Sequence, residues 1–202
     1  MPQWFIESWI VMTPLSVCSV VGLAIVLERI WALRRRRIIS PALAAAIQQR
    51  HDTPEKTEQV RALSETDKSV LGELAQIVFA HASLPKEENL EAVQAAARQI
   101  MGRLERGLTT LALIVELGPL LGLLGTVIGM VKLFTDVAQH GLGDPTQISR
   151  GIYEALTATM VGLGIAVPAL VAVMYLRRRV ELLALELERH TGELLRRLYR
   201  NQ

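Results

Sequence analysis

Two stretches of the sequence carry no charged residue and are each long enough to cross a lipid bilayer as a helix, Trp9 to Leu27 and Ala155 to Leu176. A third stretch, Leu108 to Val131, is interrupted by Glu116 alone. About 20 helical residues span the hydrocarbon core of a membrane. The sequence therefore predicts an all-α membrane protein with three transmembrane helices. It excludes a single soluble globular domain, a disordered chain and, with one cysteine, a disulfide-built secreted module.

Lysine and arginine are distributed unevenly between the segments that join these stretches. Twelve lie in 34–107 and seven in 177–202. The segment 1–8 has none, and 137–150 has only Arg150. Because cationic flanks resist translocation, the two basic segments should stay inside the cell and the other two outside. Most aromatic residues fall at the predicted membrane boundaries, as expected for this orientation.

The predicted segments follow from these two patterns. They are an outer N-terminus (1–8), transmembrane helix 1 (9–33), a long inner helical segment (34–107), transmembrane helix 2 (108–136), a short outer loop (137–150), transmembrane helix 3 (151–176) and an inner amphipathic C-terminal helix (177–202). Residues 1–8 lack the basic start of a cleavable signal, so the first span is expected to be a retained anchor.

The inner segments are rich in helix-forming residues and have few breaks. Breaks are expected at Ser40-Pro41, 52–54 and 83–85, with Ser83 as the N-cap of a new helix. Apolar residues then recur at helical spacing up to Leu108, which predicts one helix running directly into the second span. A similar stripe predicts that the C-terminal tail continues the third span and packs against a neighbouring helix. Its members are Val180, Leu183, Leu187, Leu194 and Leu198, with Thr191 as the polar interruption.

Signatures of catalysis and of ligand binding are absent from the sequence. It has no P-loop, and Gly162-Leu163-Gly164 lacks the third glycine of a dinucleotide site. The histidines lack the spacing of metal ligands and are expected at the solvated surface: His51, His81, His140 and His190. Cys18 is expected to be a small buried residue. We therefore expect no enzyme, no metal, no cofactor and no nucleic-acid partner, with the basic block 34–37 facing membrane lipids.

Five polar residues in the second and third predicted spans are candidates for a functional role: Glu116, Thr126, Glu154, Thr157 and Thr159. Ionisable groups inside a membrane usually face a bundle interior or a water path, which favours a functional role for Glu154. A threonine can instead bond to its own helix and be silent. Glu154 also has a structural alternative, because an acid at the outer, N-terminal end of a helix is favourable in itself.

Small residues form a ridge along each of the last two spans. The second span carries Gly118, Gly122, Gly125 and Gly129, and the third carries Ala155, Thr159, Gly162, Ala166 and Ala169. In lipid, helices associate by close contact that small residues permit. The ridges predict tightly packed helix faces and, together with the amphipathic tail, an oligomer.

Two segments of the sequence closely resemble the ExbB/TolQ/MotA proton-channel family, and most of all its ExbB branch. They are 118–130 (GPLLGLLGTVIGM) and 152–163 (IYEALTATMVGL), followed by Ala166-Val167-Pro168. The ending of the first span, Leu27-Glu28-Arg29, is similar too. The resemblance covers essentially the whole chain, including the order and orientation of the spans.

The resemblance implies a fold, a function and partners. Members form a homo-oligomeric ring, usually a pentamer, around single-span ExbD- or TolR-like partners in a bacterial inner membrane, so that the outer segments here are periplasmic and the inner ones cytoplasmic. Proton flow then powers a TonB- or TolA-like protein for outer-membrane transport. By the resemblance, Thr126 and Thr159 line the path and Glu154 is its carboxylate. The proton-accepting aspartate belongs to the partner, and this chain has no aspartate inside its three apolar stretches.

Several alternatives stay open at the level of the sequence. The cytoplasmic segment does not distinguish an ExbB-like role from a TolQ-like role in envelope integrity. A membrane scaffold that conducts no protons is the alternative to a channel. Glu116 and Thr157 are pathway or structural residues, and the role of Glu116 is open because the family has a small or weakly polar residue there.

Overall fold

A computed structural model describes residues 9–49, 54–141 and 145–200, and every regular element within these ranges is a helix. The helices are α1 (Trp9–Ala32), α2 (Arg35–Ile38), α3 (Pro41–Gln48), α4 (Pro54–Thr66), α5 (Val70–Ala80), α6 (Lys86–Glu105), α7 (Leu108–His140) and α8 (Pro145–Arg200). The all-α prediction is therefore confirmed. The predicted outer segment 1–8, His51 and the break at Asp52-Thr53 lie outside the described residues.

Three helical stretches are long and apolar enough to cross a membrane, as the sequence predicts. They lie within Val11–Ala32, Lys86–Gln139 and Ile148–Arg200. The helices extend beyond the segments predicted for the spans, since α7 ends at His140 and α8 begins at Pro145, both inside the predicted loop 137–150. The membrane boundaries within these helices stay a prediction.

The chain divides into two compact units. Among the described residues, the membrane unit comprises 9–28, 107–141 and 145–175, and the extension unit comprises 29–49, 54–106 and 176–200. In the membrane unit, most large apolar side chains lie on the surface, for example Val20, Leu123 and Val171. Such a surface suits lipid, whose tails are as apolar as leucine.

The prediction of one continuous helix into the second span is wrong, because the helix is interrupted at Arg106 and Gly107. Helix α6 ends at Glu105, and Gly107 adopts a left-handed backbone with φ of 86° before α7 begins at Leu108. Glycine reaches this conformation without a steric penalty, so one residue interrupts the helix without disturbing the apolar spacing on either side.

Helix α8, in contrast, runs unbroken from Pro145 to Arg200, so the predicted continuation of the third span is confirmed. The stripe residues Val180, Leu183, Leu187 and Leu194 are buried. The predicted Ser83 cap is wrong, because Pro85 precedes α6 and no side chain caps it. A serine cap occurs instead at α5, where Ser69 Oγ accepts from the Gly72 N–H at 3.2 Å.

A polar cluster inside the extension unit holds the end of α8. The buried Asn89 donates through Nδ2 to the Val78 carbonyl and to the Tyr199 hydroxyl, both at 3.0 Å. The Tyr199 hydroxyl donates in turn to the Leu84 carbonyl at 2.7 Å. Earlier along α8, Glu186 forms a bidentate ion pair with Arg35. These bonds attach the last part of α8 to residues 110 to 151 positions away in sequence.

Two predictions about burial need correction. His190, expected at the solvated surface, is 1% exposed, and neither ring nitrogen has a hydrogen-bond partner among the described residues. It lies next to the stripe position Thr191, on the face of α8 that packs into the extension unit. Cys18, expected to be buried, is half-buried. Of the other histidines, His81 is half-buried with Nδ1 3.0 Å from the Ile77 carbonyl oxygen.

Acid should destabilise the extension unit through His190. Burial, and next the charge of Arg189, lower the pKa of His190 below its usual 6.5. The unfolded chain therefore binds more protons than the folded one once the pH falls below 6.5, and stability is lost as the pH drops further. We expect the thermal unfolding midpoint in detergent to fall between about pH 7.5 and 5.5. In His190→Phe this fall should be smaller; an equal fall in both proteins would contradict the account.

Candidate functional site

The small-residue ridges of α7 and α8 lie directly against each other in the membrane unit. A Cβ atom added to Gly162 would be 2.5 Å from the Gly118 carbonyl oxygen, and one added to Gly122 would be 3.0 Å from the Thr159 Cα. The other two glycines of α7 are equally close to alanines. An added Cβ would be 2.5 Å from Ala158 Cβ at Gly125 and 3.0 Å from Ala155 Cβ at Gly129. Ala166 lies opposite Gly118.

These contacts are made within one chain, which changes what the ridges imply. From the sequence, the ridges and the amphipathic tail together are expected to offer more packing surface than three helices can satisfy. In the structure, the ridge of α7 is covered by the ridge of the same chain's α8, with Val11 of α1 beside Gly125. The ridges therefore build the membrane unit itself, and the expected oligomer needs other support.

The hydroxyls of the spans differ in what they bond. Thr159 Oγ1 donates to the Gly122 carbonyl across the α7–α8 contact, at 3.1 Å. Thr126 Oγ1 donates to the Leu123 carbonyl and Thr157 Oγ1 to the Tyr153 carbonyl, both at 2.7 Å and both within their own helix. Only Thr159 of the three joins two helices in the described structure. Thr126 and Thr157 adopt the self-bonded state that the sequence left open.

Glu154 lies in the first part of α8 and is half-buried, with 30% of its side chain exposed. Its Oε1 is 3.2 Å from Nε of Arg150, one turn earlier on the same helix. Arg150 is not among the site residues predicted from the sequence, although its four-residue spacing from Glu154 is the signal that identifies such a pair.

The three predicted pathway residues are not joined within one chain. Thr159 follows Glu154 by five positions, a rotation of about 140° around a helix. The buried Ala155 and Ala158 lie between them, so Glu154 lies to one side of the ridge, whereas Thr159 belongs to it. Thr126 follows Gly122, the acceptor of Thr159, by one turn. No hydrogen bond within the described ranges links Glu154 to Thr126 or Thr159.

Glu116 lies on the surface of α7, about 160° around the helix from the ridge residue Gly118. Its carboxyl has no ion pair within the described part of the chain, and the neighbouring Leu117 and Leu120 are exposed. Glu116 therefore takes no part in the α7–α8 contact.

Thr159→Val should weaken the membrane unit, whereas Thr126→Val should leave its stability nearly unchanged. Valine keeps the volume of threonine but removes the donor to Gly122, and interhelical bonds of this kind contribute on the order of 0.6 kcal/mol, up to about 1.7. The Thr126 hydroxyl bonds only within its own helix. Unfolding in increasing dodecyl sulfate, followed by helical circular dichroism, measures both losses. Equal losses in the two variants would contradict the assignment.

Comparison with known proteins places these features in a family. A sequence model described as the MotA/TolQ/ExbB proton channel family matches residues 34–189. A Synechocystis protein named biopolymer transport protein ExbB-like 1 is 33% identical over 176 residues, which cover 82% of this chain and 66% of that protein. The Vibrio cholerae biopolymer transport protein exbB1 is 31% identical over 161 residues, covering 77% of this chain and 70% of the relative.

A further relative, the biopolymer transport protein ExbB of Neisseria gonorrhoeae, is 35% identical over 117 residues. The match covers 57% of this chain and 53% of the relative. The chain thus spans between about half and two thirds of the length of several relatives that it matches. The match nevertheless includes both ridges, Glu154 and the break at Gly107. The chain is a multi-pass membrane protein, and it belongs to the MotA/TolQ/ExbB proton channel family.

Proposed function

We propose that the chain is the proton-channel subunit of an inner-membrane motor. With an ExbD- or TolR-like single-span partner, it uses the proton motive force to energise a TonB- or TolA-like protein for outer-membrane transport. The observation that carries the proposal is the half-buried carboxyl of Glu154, on a helix that is otherwise uncharged from Ala155 to Leu176. An ionisable group at such a place is expensive unless it faces protein, a partner or water.

The arrangement around Glu154 suits proton transfer between two proteins. The rigid α7–α8 contact fixes the helix that presents the carboxyl, because no side chain separates the two backbones at Gly118 and Gly162. Glu154 lies to one side of this contact, whereas Thr159 lies within it and bonds to Gly122, so a complete path requires surfaces from further chains. The family places a ring of subunits, usually five, around the partner helices, which supplies those surfaces.

The single-span partner must supply the proton-accepting aspartate. Inside the three apolar stretches there is no aspartate, and the family's proton-accepting aspartate lies on the single-span partner. We propose the orientation given by the charge distribution, with the N-terminus in the periplasm and the C-terminus in the cytoplasm. Thr126 and Thr159 then line the interior of the ring, and Glu154 lies near its periplasmic end.

A scaffold that conducts no protons is the second candidate. The self-bonded hydroxyls of Thr126 and Thr157 and the ion pair of Glu154 favour it, since each satisfies its polar group without a water path. The channel and the scaffold make different predictions for flux, and both predict assembly with a partner.

The test is co-purification and reconstitution. The full-length protein should co-purify with a co-expressed single-span protein that carries a membrane aspartate, and native mass spectrometry should find several copies of this chain. In liposomes with an imposed proton gradient, the complex should conduct protons, and replacing the partner's aspartate by asparagine should stop the flux. A complex that assembles but never conducts would support the scaffold, and a monomer without partner would contradict both.

A further inference from the structure

Arg150 and Glu154 form an isolated ion pair within the described residues. Nε of Arg150 is 3.2 Å from Oε1 of Glu154, and neither side chain makes another hydrogen bond or ion pair there. The two residues stand four apart, which places them one above the other on the same face of α8. Arg150 is thus the one cation in the described chain that reaches the Glu154 carboxyl.

The helix terminus does not stabilise Glu154 in its place. Helix α8 begins at Pro145, so Glu154 lies nine residues, or about two and a half turns, inside it. The favourable effect of a helix N-terminus on an acid fades within about the first turn. This removes the structural alternative that the sequence left open for Glu154, and it leaves Arg150 as the charge that compensates the carboxyl.

The two side chains differ in exposure in a way that fits this role. The Arg150 side chain is 63% exposed, whereas that of Glu154 is 30% exposed. A long arginine can keep its guanidinium in water or at the headgroup level while its stem follows the helix. In the proposed orientation, Arg150 reaches from the periplasmic end of α8 towards a carboxyl that lies one turn closer to the uncharged part of the helix.

We propose that Arg150 is a positioning residue for Glu154, directing its carboxylate towards the outer end of α8 through the ion pair. Protonation of Glu154 removes the negative charge and breaks the ion pair, while Arg150 keeps its own charge. Release of the proton restores the pair. The inference rests on the proposed function for its meaning, but its test needs neither a partner nor a proton gradient.

Carboxyl reactivity tests the pair directly. Dicyclohexylcarbodiimide adds to protonated carboxyls in apolar surroundings and leaves a stable acylurea that peptide mass spectrometry locates. In the full-length detergent-solubilised protein, Arg150→Gln should increase the labelling rate of Glu154 about two- to fivefold, the factor expected for losing an exposed ion pair. Arg150→Lys, which keeps a cation at a single-contact site, should label at nearly the wild-type rate.

Glu116 serves as the control within the same molecule, because it is a carboxyl in an apolar stretch without an ion pair in the described part of the chain. Its labelling should be the same in all three proteins. Equal labelling of Glu154 in wild type and Arg150→Gln, a parallel rise at Glu116, or no rescue by lysine would overturn the proposal. Failure of proton flux with normal labelling would instead count against the proposed function and leave the pair intact.

Discussion

Replacing Gly162 by alanine is expected to destroy the α7–α8 contact, although it adds only one methyl group. The new Cβ would lie 2.5 Å from the Gly118 carbonyl oxygen and 3.1 Å from the Gly122 Cα. Both neighbours are backbone atoms on a helix, so the clash is relieved only by moving the helices apart. Overpacking of this kind typically costs about 1–3 kcal/mol, and here it also weakens every other ridge contact.

The matched control for Gly162→Ala lies two residues further along the same helix. Gly164 is exposed, and a Cβ added there meets nothing within 4 Å. Gly164→Ala should therefore be neutral or slightly stabilising, since alanine is the better helix former. Thermal unfolding in detergent, followed by circular dichroism, compares the two variants. Similar midpoints for Gly162→Ala and Gly164→Ala would mean that the two ridges are not in contact.

The membrane-spanning helices could be predicted from the sequence because their cause is local. A long run without charge can be read residue by residue, and the spacing of Gly118 and Gly122 places small residues on one helix face. The packing of α7 against α8 of the same chain is a tertiary contact, and it cannot be deduced from the spacing of the small residues. A ridge has the same pattern whether its partner belongs to the same chain or to a neighbour.

The extension unit was harder to predict because its polar contacts connect residues far apart in the sequence. His190 lies on an apolar stripe but is polar, and only the packing around α8 shows that it is buried. Asn89 and Tyr199 are 110 residues apart, so their hydrogen bond leaves no periodic signal. The break at Gly107 was missed because a single glycine interrupts a helix without changing the apolar pattern around it.

At the candidate site, residue types were predictable but their partners were not. The resemblance identified Glu154 and Thr159, while the bond from Thr159 to Gly122 depends on how closely two backbones approach. Arg150 could have been identified from the sequence as the partner of Glu154, because a four-residue spacing on a helix brings opposite charges together. It was counted there only as a charge of the outer loop.

Glu154→Gln should abolish partner-dependent proton flux while leaving the complex assembled. Glutamine keeps the shape and hydrogen bonding of glutamate but cannot take up or release a proton, and a positioned proton-transfer group typically contributes about a hundredfold or more to the rate. Arg150 loses its partner in this variant, but its side chain is 63% exposed, so the lost pair is worth at most about 1 kcal/mol. Loss of flux would then report on the carboxyl rather than on unfolding.

Two further variants make the Glu154 experiment decisive. Glu154→Ala removes both shape and charge, and it should lose flux to the same extent if proton exchange is the function of the carboxyl. Glu188→Gln, an exposed glutamate on the same helix in the extension unit, should conduct like the wild type. Flux in liposomes is compared at equal amounts of assembled complex. Full flux in both Glu154 variants would rule out proton exchange by this carboxyl, and with a conducting wild type it would leave Thr126 and Thr159 as the candidate path residues.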